Sequence, residues 1–218
     1  MDTPAFTKLL SVLQKESVNW DVPIVTLIAQ RSNDPFHVLV STLLSLRTKD
    51  EVTTEASGRL FSEAGTPREI IDLGAERIRE LIYPVGFYKR KAENLVNICR
   101  ILLNEYNSTV PDDLDTLLTL PGVGRKTANL VLTLGFGKPG ICVDTHVHRI
   151  SNRTGYVQTK SPEETEFALR AKLPENWWIP INDIFVAFGQ ALCRPVSPWC
   201  TKCPVSDLCP RVNVTYSR

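Results

Sequence analysis

The chain is organised around the run Leu120-Pro121-Gly122-Val123-Gly124-Arg125-Lys126-Thr127-Ala128, which predicts a sharp joint between two helices. The apolar spacing before Pro121 predicts a helix that this proline ends, and a second, apolar helix is predicted from residue 125 onward. Gly122 and Gly124 are expected to supply positive φ or close backbone approach in the turn. The turn amides at the second helix start would form a site for one phosphate oxygen. The candidate phosphate-binding residues are Gly122, Val123, Gly124 and Arg125. On this run alone, an ordinary helix–turn–helix corner is equally open.

Composition limits the class of protein. The chain has 218 residues, enough for one good core or two small domains. Its 25 basic and 24 acidic side chains exclude a generic polycation, so any contact with nucleic acid must come from local clusters and backbone amides. No apolar run approaches the ~18 residues of a membrane span, and the N-terminal residues do not resemble a secretory signal. We therefore expect a soluble intracellular protein without membrane association.

The secondary-structure pattern predicts an all-α fold. Helix-start signals recur along the chain: Asp34-Pro35, the capping box at Thr66, Asp144 and Ser161. Residues 36–46 are apolar all round, which predicts a buried central helix. No run alternates with period two between hairpin turns, so we expect about ten short helices and no sheet.

Four cysteines near the C-terminus have the spacing of a metal site. The pattern is Cys193-x6-Cys200-x2-Cys203-x5-Cys209, in a tail whose prolines prevent a long helix. Tetrahedral thiolate sets suit zinc or an iron–sulfur cluster. Zinc sites usually pair two C-x2-C turns and this tail has one, so the spacing favours a four-iron cluster, with zinc still open and disulfides least favoured. We expect the metal to act mainly as a structural staple.

Three motifs together resemble the endonuclease III family. They are the joint at residues 120–128, the run Val143-Asp144-Thr145-His146, and the cysteine spacing. That family belongs to the helix-hairpin-helix superfamily of base excision DNA glycosylases. Shorter segments that resemble the family in the same order are Asn33-Asp34-Pro35-Phe36, Leu43-Leu44-Ser45, Gly86-Phe87-Tyr88 and Lys91-Ala92-Glu93-Asn94.

The resemblance implies two helical domains. A six-helix bundle or barrel domain with the helix-hairpin-helix motif would span residues 28–138. Both termini, residues 1–27 and 139–218, would form a second domain that carries a [4Fe–4S] cluster on the four cysteines. The DNA-binding cleft of the family lies between its two domains. By motif position, Lys126 matches the catalytic lysine of the family and Asp144 its catalytic aspartate.

Both residue types suit removal of a damaged base. Cleavage at C1′ passes through an oxocarbenium-like state that an ionised Asp144 would stabilise. A neutral amine on Lys126 can capture C1′ as a Schiff base, which acidifies the 2′ proton and permits β-elimination. Placement in the first turn of a helix, with partial burial, should disfavour the ammonium form of this lysine. In isolation, Asp144 could be only an N-cap and Lys126 only a phosphate-facing lysine.

Base removal also requires the target nucleotide to be flipped out and the gap to be filled. By family position, Phe87 would be an apolar wedge, and Arg47 stands where the family has glutamine, another gap filler. His146 is a candidate residue of the cleft, whereas His148 is interpreted as packing. Lys89-Arg90-Lys91, Arg149 and Arg153 are either further phosphate contacts or solvated surface.

The preferred hypothesis is a bifunctional DNA glycosylase/AP lyase that excises oxidised pyrimidines from duplex DNA in base excision repair. One alternative is a monofunctional glycosylase for mismatched adenine, thymine or uracil; another is a non-catalytic DNA-binding module. The expected partner is damaged double-stranded DNA, bound by a monomer. The expected location is the cytoplasm, associated with the nucleoid in a prokaryote, or the nucleus or an organelle in a eukaryote.

Overall fold

The computed structural model describes residues 1–218 and contains eleven α-helices and no strand, which confirms the all-α prediction. None of the helices combines the length and the apolar character that a membrane span requires. The helices are α1 (Thr3–Glu16), α2 (Ile24–Ser32), α3 (Pro35–Ser45), α4 (Asp50–Glu63), α5 (Pro67–Ile82), α6 (Tyr88–Glu105), α7 (Leu114–Thr119), α8 (Arg125–Leu130), α9 (Thr145–Arg153), α10 (Pro162–Lys172) and α11 (Pro180–Ala191).

The predicted helix starts are confirmed by their capping bonds. Asp34 accepts from the Phe36 amide at 2.8 Å, with Pro35 at the first helical position of α3. Thr66 and Glu69 complete a capping box at α5, and Ser161 accepts from the Glu164 amide at α10. Each cap satisfies an amide that the helix itself leaves unbonded, which stabilises the helix by about 1 kcal/mol.

The chain divides into two compact units. The central unit is Ile24–Lys138, and the terminal unit combines Met1–Pro23 with Pro139–Arg218. The predicted first boundary, between residues 27 and 28, falls inside α2. This boundary is corrected to Pro23 because α2 is one continuous helix that packs on α3.

The central unit is built around α3. Almost every side chain from Phe36 to Leu44 is buried, because α2, α4, α6 and α8 all contact this helix. Each fully buried leucine contributes about 2 kcal/mol of hydrophobic stabilisation. The prediction of a buried central helix is therefore confirmed.

The terminal unit joins both ends of the chain in one core. Phe6 of α1 stacks on Tyr156, with ring centroids 3.8 Å apart, and meets Phe185 of α11 edge-on. The Met1 amino group donates to Gly155 O at 2.7 Å. These contacts fasten α1 to the segment that follows α9, more than 140 residues along the chain.

Two local departures from regular α-helix occur in the central unit. Gly74 has φ +70° and kinks α5. After α8 the chain forms a π-helical turn, Val131–Gly135, where a continuous α-helix was predicted. Gly135 allows α3 to approach closely there, since a Cβ on it would lie 3.1 Å from Pro35 Cα.

Candidate active site

The joint between α7 and α8 is a tight hairpin that depends on one glycine. The Val123 amide donates to Leu120 O at 3.1 Å, and the Val123 side chain is buried. Gly122 has φ +79°, and a Cβ there would lie 2.6 Å from Asn94 Nδ2 on α6. Gly124 has an ordinary φ of −102°, and a Cβ on it would meet no other atom. The backbone requirement predicted for both glycines therefore holds only for Gly122.

Gly122→Ala is expected to lower the free energy of unfolding by about 1–2 kcal/mol, because alanine is strained at positive φ and its methyl would collide with Asn94. Urea denaturation measures this change. Gly124→Ala is the matched control, with an expected change within about 0.5 kcal/mol. Equal losses at the two positions would contradict this account of the turn.

Lys126 is the second residue of α8 and is half-buried. The helix beneath it is well anchored, since Thr127, Ala128 and Asn129 are buried. Asn129 Nδ2 also donates to Arg125 O at 3.1 Å. The hairpin thus carries the lysine side chain on a rigid support, which is what a nucleophile requires.

Asp144 is the N-cap of α9, as the sequence predicts. Its Oδ1 accepts from the amides of His146 and Val147, both at 2.8 Å, and the residue is half-buried. The second carboxylate oxygen, Oδ2, takes part in neither of these bonds. Both donors belong to the first turn of α9, where the helix leaves its own amides unbonded. Asp144 therefore caps α9, and the same two hydrogen bonds hold its side chain in a fixed orientation.

The imidazole ring of His146, a residue of α9, packs against α11 at Gly189. Arg149 Nη2 lies 3.1 Å from His146 Nδ1, and since a guanidinium can only donate, Nδ1 accepts and the ring proton resides on Nε2. Gly189 of α11 makes room for this ring, because a Cβ there would collide with the imidazole. Gly189 was not predicted as a site residue, although a glycine within an apolar helix is a signal of close packing.

Arg149 and Arg153 of α9 bind the loop that begins at Cys193. Arg149 Nη2 donates to Cys193 O at 2.9 Å. Arg153 Nη1 donates to Cys193 Sγ at 3.3 Å and to Arg194 O at 2.8 Å. Both guanidinium groups therefore hydrogen-bond the cysteine loop and are not simply solvated surface, while their contact with phosphate stays a prediction.

The four candidate metal ligands are brought together in the terminal unit. Their side chains line a single cavity, walled also by Ile150 and Val205. The lining cysteines are Cys193, Cys200, Cys203 and Cys209. No group of three or more His, Cys, Asp or Glu side chains is arranged to hold a single metal ion. Four thiols around one cavity form a donor set whose chemistry fits an iron–sulfur cluster.

The environment of these cysteines is largely desolvated. Burial raises the pKa of Cys203 to about 11 and also raises the pKa of Cys209. The two remaining cysteines of the chain, Cys99 and Cys142, are buried and packed as small apolar residues.

Arg47 and Phe87, forty positions apart in sequence, meet on the central unit. The Arg47 guanidinium carbon lies 5.5 Å from the centroid of the Phe87 ring, within the range of a cation–π contact. Phe87 is 63% exposed, although it is a large apolar side chain. An exposed aromatic ring stacked under a cation is suited to entering a base stack.

Lys91 is buried, which contradicts its interpretation as a phosphate contact or solvated surface. Its side chain is 9% exposed, and its ammonium group donates to Leu44 O and Leu46 O. The sequence does contain the signal for this burial. Lys91 shares the helical spacing of the buried Leu95, Ile98 and Leu102 on α6 and therefore lies on its apolar stripe.

The chain is similar in sequence and in fold to several known proteins. Residues 40–175 match the family model described as "HhH-GPD superfamily base excision DNA repair protein". Endonuclease III of Thermotoga maritima is 52% identical over 179 residues, covering 82% of this chain and 84% of that one. Endonuclease III of Escherichia coli (strain K12) is 39% identical over 177 residues, with 81% and 84% coverage. A solved structure of a trapped endonuclease III–DNA covalent intermediate superposes with a TM-score of 0.87 at 33% identity, covering 97% of each chain. The predicted resemblance is thereby confirmed: the chain belongs to the HhH-GPD superfamily of base excision DNA repair proteins and, within it, to the endonuclease III family.

Proposed function

We propose that this chain is a bifunctional DNA glycosylase/AP lyase that excises oxidised pyrimidines from duplex DNA in base excision repair. One observation carries the proposal: a protein of the endonuclease III family has a lysine, Lys126, rigidly mounted directly after its DNA-binding hairpin motif. A covalent intermediate with DNA, as named for the structural relative, requires such a nucleophile.

The first proposed step is base release. The neutral amine of Lys126 attacks C1′ of the flipped nucleotide, and the bond between C1′ and the base nitrogen breaks. The electron pair leaves with the base, which takes up the proton that the lysine nitrogen releases after its attack. Positive charge develops on the sugar during this step, and the carboxylate of Asp144 stabilises it electrostatically.

The second proposed step is strand cleavage. The sugar ring opens to a Schiff base between Lys126 and C1′, which acidifies the proton at C2′. Loss of this proton drives β-elimination, in which the bond from C3′ to its phosphate oxygen breaks. Water then hydrolyses the Schiff base and returns the free lysine.

The hairpin and the exposed pair are proposed to hold the DNA. Backbone amides of Gly122, Val123, Gly124 and Arg125 would contact one phosphate, and the open backbone at Gly124 leaves room for it. Arg47 and Phe87 would fill the space of the flipped nucleotide. His146 is proposed as a further DNA contact.

The terminal unit is proposed to be the iron–sulfur domain, and the central unit the helix-hairpin-helix domain. Cys193, Cys200, Cys203 and Cys209 would hold a [4Fe–4S] cluster, which supplies four metal–thiolate bonds that fix the tail. Arg153 contributes a hydrogen bond to Cys193 Sγ at 3.3 Å. The partner is damaged double-stranded DNA, and the proposed form is a monomer.

Cys203→Ser is expected to reduce the broad visible absorption and the iron content of the purified protein, because one thiolate ligand is lost. Absorption spectroscopy and iron and sulfide analysis measure the change. Cys99→Ala, which alters a cysteine of the other unit, should retain the full iron content. A colourless wild-type protein that contains one zinc ion per chain would instead support the zinc alternative.

The decisive experiment is a panel of duplexes incubated with the protein and borohydride. The panel holds an oxidised pyrimidine, a mismatched adenine, thymine or uracil, or no lesion. Oxidised pyrimidines are expected to give base release, strand nicking and a trapped covalent complex. Release of mismatched bases without nicking would favour the monofunctional alternative. DNA binding without any base release would favour the non-catalytic module.

A further inference from the structure

Two loops of the central unit hold their exposed residues in an unusual backbone conformation. Arg47 follows α3 and has φ +54°, and Phe87 precedes α6 and has φ +59°. Residues other than glycine rarely adopt this left-handed backbone conformation, and they keep it only when surrounding contacts hold them there. The structure must therefore contain contacts that hold both loops in place.

Lys91 provides the first of these contacts. Its Nζ donates to Leu44 O at 2.9 Å and to Leu46 O at 2.6 Å, and it lies 3.4 Å from Thr48 Oγ1. The three hydrogens of an ammonium group thus face three oxygen atoms, all on the segment that contains Arg47. Burial lowers the pKa of Lys91 to about 8, so this placement is costly and the three acceptors offset it.

Thr48 extends the same network to the second loop. Its Oγ1 accepts from the Gly86 amide at 3.1 Å, directly before Phe87. The two backbones are also in close contact, since a Cβ on Gly86 would lie 2.5 Å from Arg47 O. Lys91, Thr48 and Gly86 therefore lock the two loops to each other.

The locked loops place the Arg47 guanidinium over the Phe87 ring, although both side chains are exposed. Exposed side chains ordinarily lose conformational freedom when they bind a partner. Here Arg47 and Phe87 already contact each other in the protein without DNA, so the two side chains lose less conformational entropy when they insert into the duplex.

We propose that Lys91 is a positioning residue that holds Arg47 and Phe87 as one preassembled pair, which enters the duplex when the damaged nucleotide is flipped out. This inference rests on the proposed glycosylase function. Lys91 itself touches neither DNA nor the reacting atoms. It acts through Thr48 and the Gly86 turn, and a local displacement at the gap is enough to slow excision.

A purely structural role for Lys91, as a cap on the carbonyls at the end of α3, makes a different prediction. Its loss would then reduce stability and would slow excision whether or not the exposed pair is present. A double-mutant cycle separates the two roles, because coupling appears only between residues that act through each other.

The test compares single-turnover excision of an oxidised pyrimidine from duplex DNA by Lys91→Met, Phe87→Ala and the double variant. Lys91→Met is expected to slow excision about tenfold. In the Phe87→Ala background it should cause little further loss. Arg100→Met, an exposed position on the same helix, is the matched control and should leave the rate unchanged. Independent effects of Lys91→Met and Phe87→Ala that simply multiply would overturn the proposal.

A fluorescent base opposite the lesion supplies a second readout. Insertion of the pair should change its fluorescence in the wild type, and Lys91→Met should reduce that change while circular dichroism stays native. If Lys91→Met does not fold, Thr48→Val takes its place in the same cycle, with the same expected coupling to Phe87. An unchanged fluorescence response in a folded variant would also overturn the proposal. Wild-type borohydride trapping tests the catalytic function separately, so failure of the two can be distinguished.

Discussion

Lys126→Gln is expected to abolish the borohydride-trapped complex with damaged DNA and to lower strand cleavage by roughly a thousandfold or more. An amide nitrogen has no available lone pair to attack C1′, so no Schiff base can form. Because Lys126 is half-buried on a helix whose next three residues are in the core, glutamine should be accommodated without unfolding. Gel analysis of trapped product and single-turnover nicking assays measure both effects.

The control for this prediction is Lys138→Gln, which removes a lysine that forms an exposed ion pair with Asp112. Such surface pairs contribute about 0–1 kcal/mol, and trapping should remain at the wild-type level. If Lys126→Gln traps as efficiently as the wild type, the nucleophile is a different residue. Retained DNA binding in the variant would show that the loss is chemical.

Asp144→Asn is expected to slow base excision by about a hundredfold to a thousandfold, because the developing positive charge at the sugar loses its carboxylate. Fold and cap should persist, since an asparagine oxygen can accept from the amides of His146 and Val147 as Oδ1 of Asp144 does. Single-turnover excision rates and urea denaturation, measured on the same preparation, test both parts.

Two further variants separate the electrostatic role from the capping role. Asp144→Ala should lose the same activity and also about 1 kcal/mol of stability, because it removes the cap. Asp34→Asn alters another aspartate N-cap, at α3, and should leave the excision rate unchanged. An Asp144→Asn protein with wild-type activity would reduce Asp144 to its capping role.

Features that depend on nearby residues were predicted well. The capping box at Thr66, the caps at Asp34 and Ser161, and the N-cap at Asp144 follow from side chains within three residues of the bonded amide. The buried character of α3 follows from its continuous apolar run. These predictions succeeded because the interacting groups are neighbours along the chain.

The π-helical turn at Val131–Gly135 was not predicted, because its sequence is an apolar run that suits an α-helix equally well. Close approach of α3 at Gly135 is a contact between distant segments. The first unit boundary was misplaced for a related reason: α2 belongs to the unit whose core it packs against, and its own composition does not reveal which one that is.

By itself, the sequence determined the all-α class, the hairpin and the caps, since each depends on spacing along the chain, and its motifs indicated the family by resemblance. Only the tertiary structure decided that Lys91 is buried, that Arg149 and Arg153 bind the cysteine loop, and that Arg47 stacks on Phe87. A buried cation needs hydrogen-bond acceptors, and Lys91, Arg149 and Arg153 each donate to a carbonyl oxygen forty or more positions away in the chain. The sequence shows which groups need partners, and the fold decides which partners they find.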